Sequence, residues 1–154
     1  MPKCLTKSHG EIEYSEDVVM HFPEGLFGFE SETRFLPIEV PGLHPLLFLQ
    51  SVDRQALCFI TLPILVIDPA YRLTLSPADL ELAGMPPGHQ PAIGEDVLCL
   101  AILTLHKDAP ATANLIAPLV MNLRTRQAVQ AIVCEGEYSH QHIVPASSPE
   151  AVCS

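Results

Sequence analysis

The residues whose type and spacing best suit chemistry are His140 and His142, separated by Gln141. On a β-strand, residues two apart face the same way, so both rings could reach one metal ion. That is the pattern of a small cupin-like barrel, a metal- or ligand-binding enzyme, and it is the alternative to a protein-binding module. The acidic ligand expected shortly after such a pair is missing, and Glu150 stands in a proline-flanked stretch. Two exposed imidazoles are the plainer reading, with no metal and no cofactor expected. The other histidines, His9, His21, His44, His89 and His106, are scattered. There is no Gly-x-Ser-x-Gly elbow, phosphate loop or His-Glu-x-x-His motif. Asp53 with Arg54, and Asp79 with Glu81, read as turn and helix-start residues rather than acid–base pairs. No enzyme is visible.

Cysteine and charge narrow the class further. The five cysteines, at positions 4, 58, 99, 134 and 153, are odd in number and show no Cys-x-x-Cys spacing, so neither complete disulfide pairing nor a zinc or redox motif is indicated. Cys58, Cys99 and Cys134 lie in apolar runs and read as small core residues. With 18 acidic and 8 basic residues, the formal charge is -10, which repels the phosphates that a nucleic-acid binder must neutralise. The spacing of Gly25 and Gly28 resembles a nucleic-acid clamp, but Glu24 and Glu30 beside it argue for a structural corner. Eight acids (Glu11, Glu13, Glu16, Asp17, Glu24, Glu30, Glu32, Glu39) stand against Arg34 alone in residues 11–39. This is either a solubilising face or a docking surface for a basic partner.

The elements that must position these residues are mostly short strands. The organising stretch is 112–122, an apolar run bracketed by Asn114 and Asn122 and broken by Pro118, which cannot donate to a ladder and so predicts an edge or a bulge. Residues 97–105, nearly all Val, Leu, Ile and Ala, predict a central strand buried on both faces. Further strands are expected over 10–14, 18–22, 35–40, 46–52, 57–61, 128–134 and 138–144, with a short one at Leu73 and Leu75. Asn114 and Asn122 belong at turns, where their side chains bond nearby backbone and a left-handed conformation is tolerated. Ser76-Pro77-Ala78-Asp79 starts a helix of about two turns, with Ser76 as N-cap and Gly84 as its stop. Short connections favour antiparallel neighbours. The chain therefore predicts an all-β, small antiparallel β-barrel-like single domain with one or two short helices, over residues 1–145, and a frayed tail over 146–154.

The apolar run 56–67 is too short for the ~20 residues that span a bilayer, and no apolar core follows Lys3 and Lys7 to make a secretory signal. A cytoplasmic address is expected. Charged residues are 17% of the chain, below the ~25% typical of soluble domains, so apolar surface for a partner is expected too.

Several residues in register carry a likeness. Phe22, Phe29 and the glycines between them, Leu49-Gln50-Ser51, Pro63, Tyr71, Asn114, Leu115, Ala117, Pro118, Asn122, Gln130 and Tyr138 resemble the flagellar assembly factor FliW family over roughly residues 10–143. The chain departs from that family where Thr125-Arg126-Gln127-Ala128 replaces a glycine-containing turn, at Leu62-Pro63 where Asp-Pro is common, and at Gln141 where a base is usual. The resemblance implies a cytoplasmic non-enzyme that binds flagellin and the small RNA-binding regulator CsrA, relieving CsrA's repression of flagellin translation without touching RNA or membrane. On that account Glu24, Glu30 and Glu32 would speed encounter with basic CsrA. Phe27 and Phe29, or Tyr71, would supply apolar contacts.

Overall fold

The computed structural model describes residues 2–133 and 138–144. The chain opens with an antiparallel hairpin of β1 (Lys3–Thr6) and β2 (Gly10–Glu13). A single turn of 3-10 helix, Glu16–Val18, follows, with the Ser15 hydroxyl accepting from Asp17 N. Then come β3 (Met20–His21), β4 (Arg34–Ile38), β5 (Leu47–Ser51) and β6 (Cys58–Pro63), each antiparallel to the next. Two short helices, α1 (Ile64–Ile67) and α2 (Pro77–Leu82), precede β7 (Val97–Thr104), β8 (Thr112–Ala113), β9 (Leu119–Asn122), β10 (Ala128–Gln130) and β11 (His142–Ile143).

Nine strands form one antiparallel sheet along the path β10-β9-β7-β6-β5-β4-β3, with β8 pairing both β7 and β11. The two ends of that path meet at one parallel bridge, His21 to Gln127, where His21 N donates to Arg126 O at 3.0 Å. One bridge is not a ladder, so the sheet curls but does not close. The barrel-like expectation is corrected to an open, curled sheet, while the all-β class and the two short helices stand as predicted.

β7 is central, flanked by β6 on one side and by β9 and β8 on the other. Its side chains alternate between two cores because strand residues point to opposite faces. Val97, Cys99 and Ala101 join Leu62, Tyr71, Leu80 and Val120 on one face. Leu98, Leu100 and Ile102 join Phe22, Phe35, Leu49 and Met121 on the other. Burial pushes the Cys99 thiol up to about 12, as befits a core residue with no reactive thiolate. Cys58 is half-buried, and Cys134 lies outside the described residues.

Residues 112–122 run back along β7 in two pieces. Leu103 opposes Ala113, but Leu100 opposes Leu119, so two residues of β7, Ala101 and Ile102, face five of the returning chain, 114–118. The excess forms a wide bulge that holds Pro118, where a missing N–H costs nothing. The Asn114 side chain accepts from Ile116 N at 3.1 Å and Ala117 N at 3.0 Å, closing the bulge, and Pro118 O still accepts from Ala131 N. β9 beyond it lies between β7 and β10, so the bulge alternative holds rather than the edge.

α2 starts as predicted, with the Ser76 hydroxyl accepting from Asp79 N at 3.1 Å and Pro77 at the first helical position. Gly84 ends it at φ +71°, a left-handed backbone angle that favours glycine. One expected strand is absent and two elements stand where none is expected. Leu73 and Leu75 form no strand, because Gln90 takes the place of a neighbouring strand: its Oε1 accepts from Leu75 N at 2.8 Å and its Nε2 donates to Leu75 O at 3.0 Å. α1 occupies the end of an apolar run that carried no cap signal. β1 was not anticipated at all. Its Cys4 is buried with Tyr14, Val19 and Leu36 in a third cluster beneath the hairpin.

Candidate partner-binding surface

The 22–30 loop is built by its two glycines. Leu26 and Phe29 bond each other through both backbone groups, at 2.7 and 3.3 Å, leaving Phe27 and Gly28 at the tip. Gly28 sits at φ +85°. Gly25, at φ +67°, lies under the returning chain, where a Cβ would be 2.5 Å from Glu30 O. Neither site admits another residue without strain. The structural-corner reading of the loop is therefore correct, and its consequence is a fixed aromatic at the tip.

Phe27 is 52% exposed, whereas Leu26 beneath it is buried and Phe29 is half-buried, edge-to-face on Phe59 at 5.5 Å. Gln130 locks the loop to the sheet. Its Oε1 accepts from Phe27 N at 2.8 Å and its Nε2 donates to Ala117 O at 3.2 Å, so one buried amide joins loop, bulge and β10. No local pattern reveals that role, since the partners lie 103 and 13 residues away.

The eight acids of residues 11–39 do not act alike. Glu16 meets Arg34 at 2.8 Å, and Glu11 meets Lys3 at 3.6 Å. Glu32 is drawn inward: its side chain is 12% exposed, accepts from the Ser51 hydroxyl at 2.9 Å and lies 3.8 Å from Arg54. Glu13, Asp17, Glu24, Glu30 and Glu39 are exposed and have no cation within 4 Å among the described residues. Glu30 accepts from Gly28 N at 2.9 Å, and that donation holds its carboxyl below the usual carboxylate range. Its charge therefore persists as pH falls past the point where a free glutamate protonates.

Because the Glu32 side chain is mostly shielded and anchors Ser51, Glu32→Lys is expected to destabilise the fold by about 2 kcal/mol, with the buried Ser51 O–H left without an acceptor and a second cation beside Arg54. A urea midpoint equal to wild type would instead make Glu32 a surface charge like Glu24.

Tyr71 is also interior. It is 6% exposed, donates its hydroxyl to Leu115 O at 2.6 Å, and stacks on Tyr138 at 4.3 Å between ring centres. It anchors the segment that covers one face of the sheet, far from a free apolar contact. Burial raises its pKa. A phenol whose folded pKa lies above its unfolded value of ~10 contributes stability that is complete below pH 10 and is lost as pH rises further. Tyr71→Phe is expected to cost about 1–2 kcal/mol at pH 7 and to flatten the loss of thermal stability above pH 10. Parallel alkaline melting curves for the two proteins would refute this.

His140 lies in a turn, exposed, while His142 is half-buried in β11 opposite Ala113. The two rings do not share one strand as the metal reading required. Among the described residues no group of three or more His, Cys, Asp or Glu could hold a metal ion.

Taken together, the site is a fixed, exposed aromatic flanked by free carboxylates on a curled sheet, which suits protein recognition better than chemistry. The FliW protein family model matches residues 3–144. The chain belongs to the FliW family. It is 35% identical to the flagellar assembly factor FliW of Bacillus velezensis, covering 93% of this chain and 96% of that one. It is 36% identical to the same factor of Geobacillus kaustophilus, covering 91% and 93%. A crystal structure of the flagellar assembly factor FliW superimposes with a TM-score of 0.81 at 31% identity, covering 93% of this chain and 96% of that one. The chain is thus a flagellar assembly factor. No helix among its described residues is long and apolar enough to cross a membrane.

One departure from the family pattern gains a physical reading. In the turn after β9, where the resemblance leads to a glycine, Arg126 takes φ +64°. Its guanidinium donates to Val18 O at 2.8 Å, so the contact across the two ends of the sheet offsets part of the cost of a left-handed arginine.

Proposed function

We propose that this FliW is a cytoplasmic, non-enzymatic regulator that binds flagellin and a basic CsrA-type RNA-binding protein, and that by binding CsrA it releases the flagellin message for translation. The observation that carries the reading is the family match over residues 3–144. The surface supports it physically. A chain of formal charge -10 repels RNA but attracts a protein that is basic because it binds RNA. Phe27, fixed by Gln130 and flanked by Glu24 and Glu30, offers an apolar contact inside an attractive field. When flagellin is scarce, FliW is free to hold CsrA. When flagellin accumulates, it takes FliW up and CsrA returns to the message.

A gel shift tests this with labelled flagellin leader RNA, CsrA and increasing FliW. FliW is expected to free essentially all the RNA at saturation, to shift no RNA by itself, and to lose its effect when excess flagellin is added. RNA that stays bound at saturating FliW, or a direct FliW–RNA shift, would refute the mechanism.

A further inference from the structure

The 39–46 loop, between β4 and β5, arches over the sheet where three strands meet. Beneath it lies a cavity of about 390 Å³ walled by Val40, Leu47, Pro63, Leu98 and Leu100. Pro63 and Leu100 are direct register partners in β6 and β7, so the floor is set by the most central ladder of the fold. The volume falls within the ~300–1,000 Å³ of ligand-holding pockets. The cavity is open to solvent and its lining is mostly apolar, so an aliphatic group entering it would remove apolar surface from water.

The mouth of the cavity supplies a direction. Glu39 lines it, is exposed, and has no cation within 4 Å among the described residues. No Lys or Arg lines the cavity, and His44 is the other titratable group there. Glu39 is therefore an unpaired carboxylate beside an apolar hole, unlike Glu16 and Glu32, which arginines of this chain already engage. The complementary ligand is an aliphatic side chain with a cation one or two residues away.

We propose that this cavity anchors a Leu-, Ile- or Val-type side chain of a basic protein partner, while a neighbouring Lys or Arg of that partner pairs with Glu39. The assignment rests on the reading that the partner is a basic CsrA-type protein. It adds to Phe27, at the tip of the 22–30 loop, a second apolar contact seated in the cavity. Charge would then govern encounter and the filled cavity would govern residence.

The test uses the 154-residue chain labelled at its leucine methyl groups and titrated with CsrA dimer. Signals from Leu47, Leu98 and Leu100 are expected to shift in step with binding, while those of Leu75 and Leu80, on the other face, stay in place. Glu39→Lys is expected to slow association about tenfold at low salt and to have little effect at high salt. Leu98→Phe, which narrows the cavity, is expected to speed dissociation at least tenfold, with Glu39→Lys and the wild-type methyl shifts deciding the matter should that variant fold poorly. Wild-type binding with silent cavity methyls, and with Glu39→Lys binding as tightly as wild type, overturns this assignment and leaves the CsrA reading intact. Failure of wild-type FliW to bind CsrA overturns the CsrA reading and this assignment with it.

Discussion

Asn122→Ala is expected to lower stability by about 3 kcal/mol, and the melting temperature by about 6–12 °C for a domain of this size. Asn122 is 1% exposed and ties together two distant parts of the chain. Its Nδ2 donates to Ala83 O at 2.9 Å, at the end of α2, and its Oδ1 accepts from Arg124 N at 2.9 Å in the β9–β10 turn. Truncation leaves a buried carbonyl and a turn amide without partners and opens a small void. Asn122→Asp separates the two roles. A carboxylate still accepts from Arg124 N but faces Ala83 O without a proton to donate, so this variant should be unstable at pH 7 and recover in part as acid protonates it. Chemical denaturation at pH 4 and pH 7 distinguishes the cases. An Asn122→Ala protein within about 1 kcal/mol of wild type would mean that the α2 end and the turn are held elsewhere.

The combined variant Glu24→Lys with Glu30→Gln is expected to slow association with a CsrA-type dimer by about tenfold at low ionic strength. Gln is chosen at position 30 because its Oε1 still accepts from Gly28 N, so the loop keeps its shape while losing charge. With a screening length of ~8 Å at physiological salt, the gap between variant and wild type should narrow as salt is added, and the dissociation rate should change little. Stopped-flow mixing at two salt concentrations checks both points. An unchanged association rate at low salt would remove the acidic loop from the encounter surface. Glu32 was the third acid expected to contribute to this field, and its engagement with Ser51 and Arg54 gives it a structural part instead.

What the sequence determined by itself rests on rules that act over a few residues. The two-faced apolar run of β7, the Ser76-Pro77 start of α2, the positive-φ glycines of the 22–30 loop and the local bonding of Asn114 follow from side-chain period, capping and backbone sterics. Those rules also made the bulge at Pro118 legible, because a missing donor is a property of the residue alone. The family likeness was legible for a related reason: Asn122 and Gln130 stand at spacings that the fold requires, although nothing in the sequence says why.

What only the tertiary structure decided concerns partners distant in the chain. Gln90 replaces a strand at Leu75, Leu115 O claims the Tyr71 hydroxyl, and Arg54 with Ser51 draws Glu32 inward. Tyr71 and Glu32 are drawn inward and find partners there, while Gln90, itself exposed, serves the backbone of buried Leu75; in each case a buried polar group must find a partner wherever the fold brings one. Whether β3 and β10, the two ends of the sheet path, pair depends on where the curled sheet brings His21 and Arg126, which the order of strands along the chain does not specify.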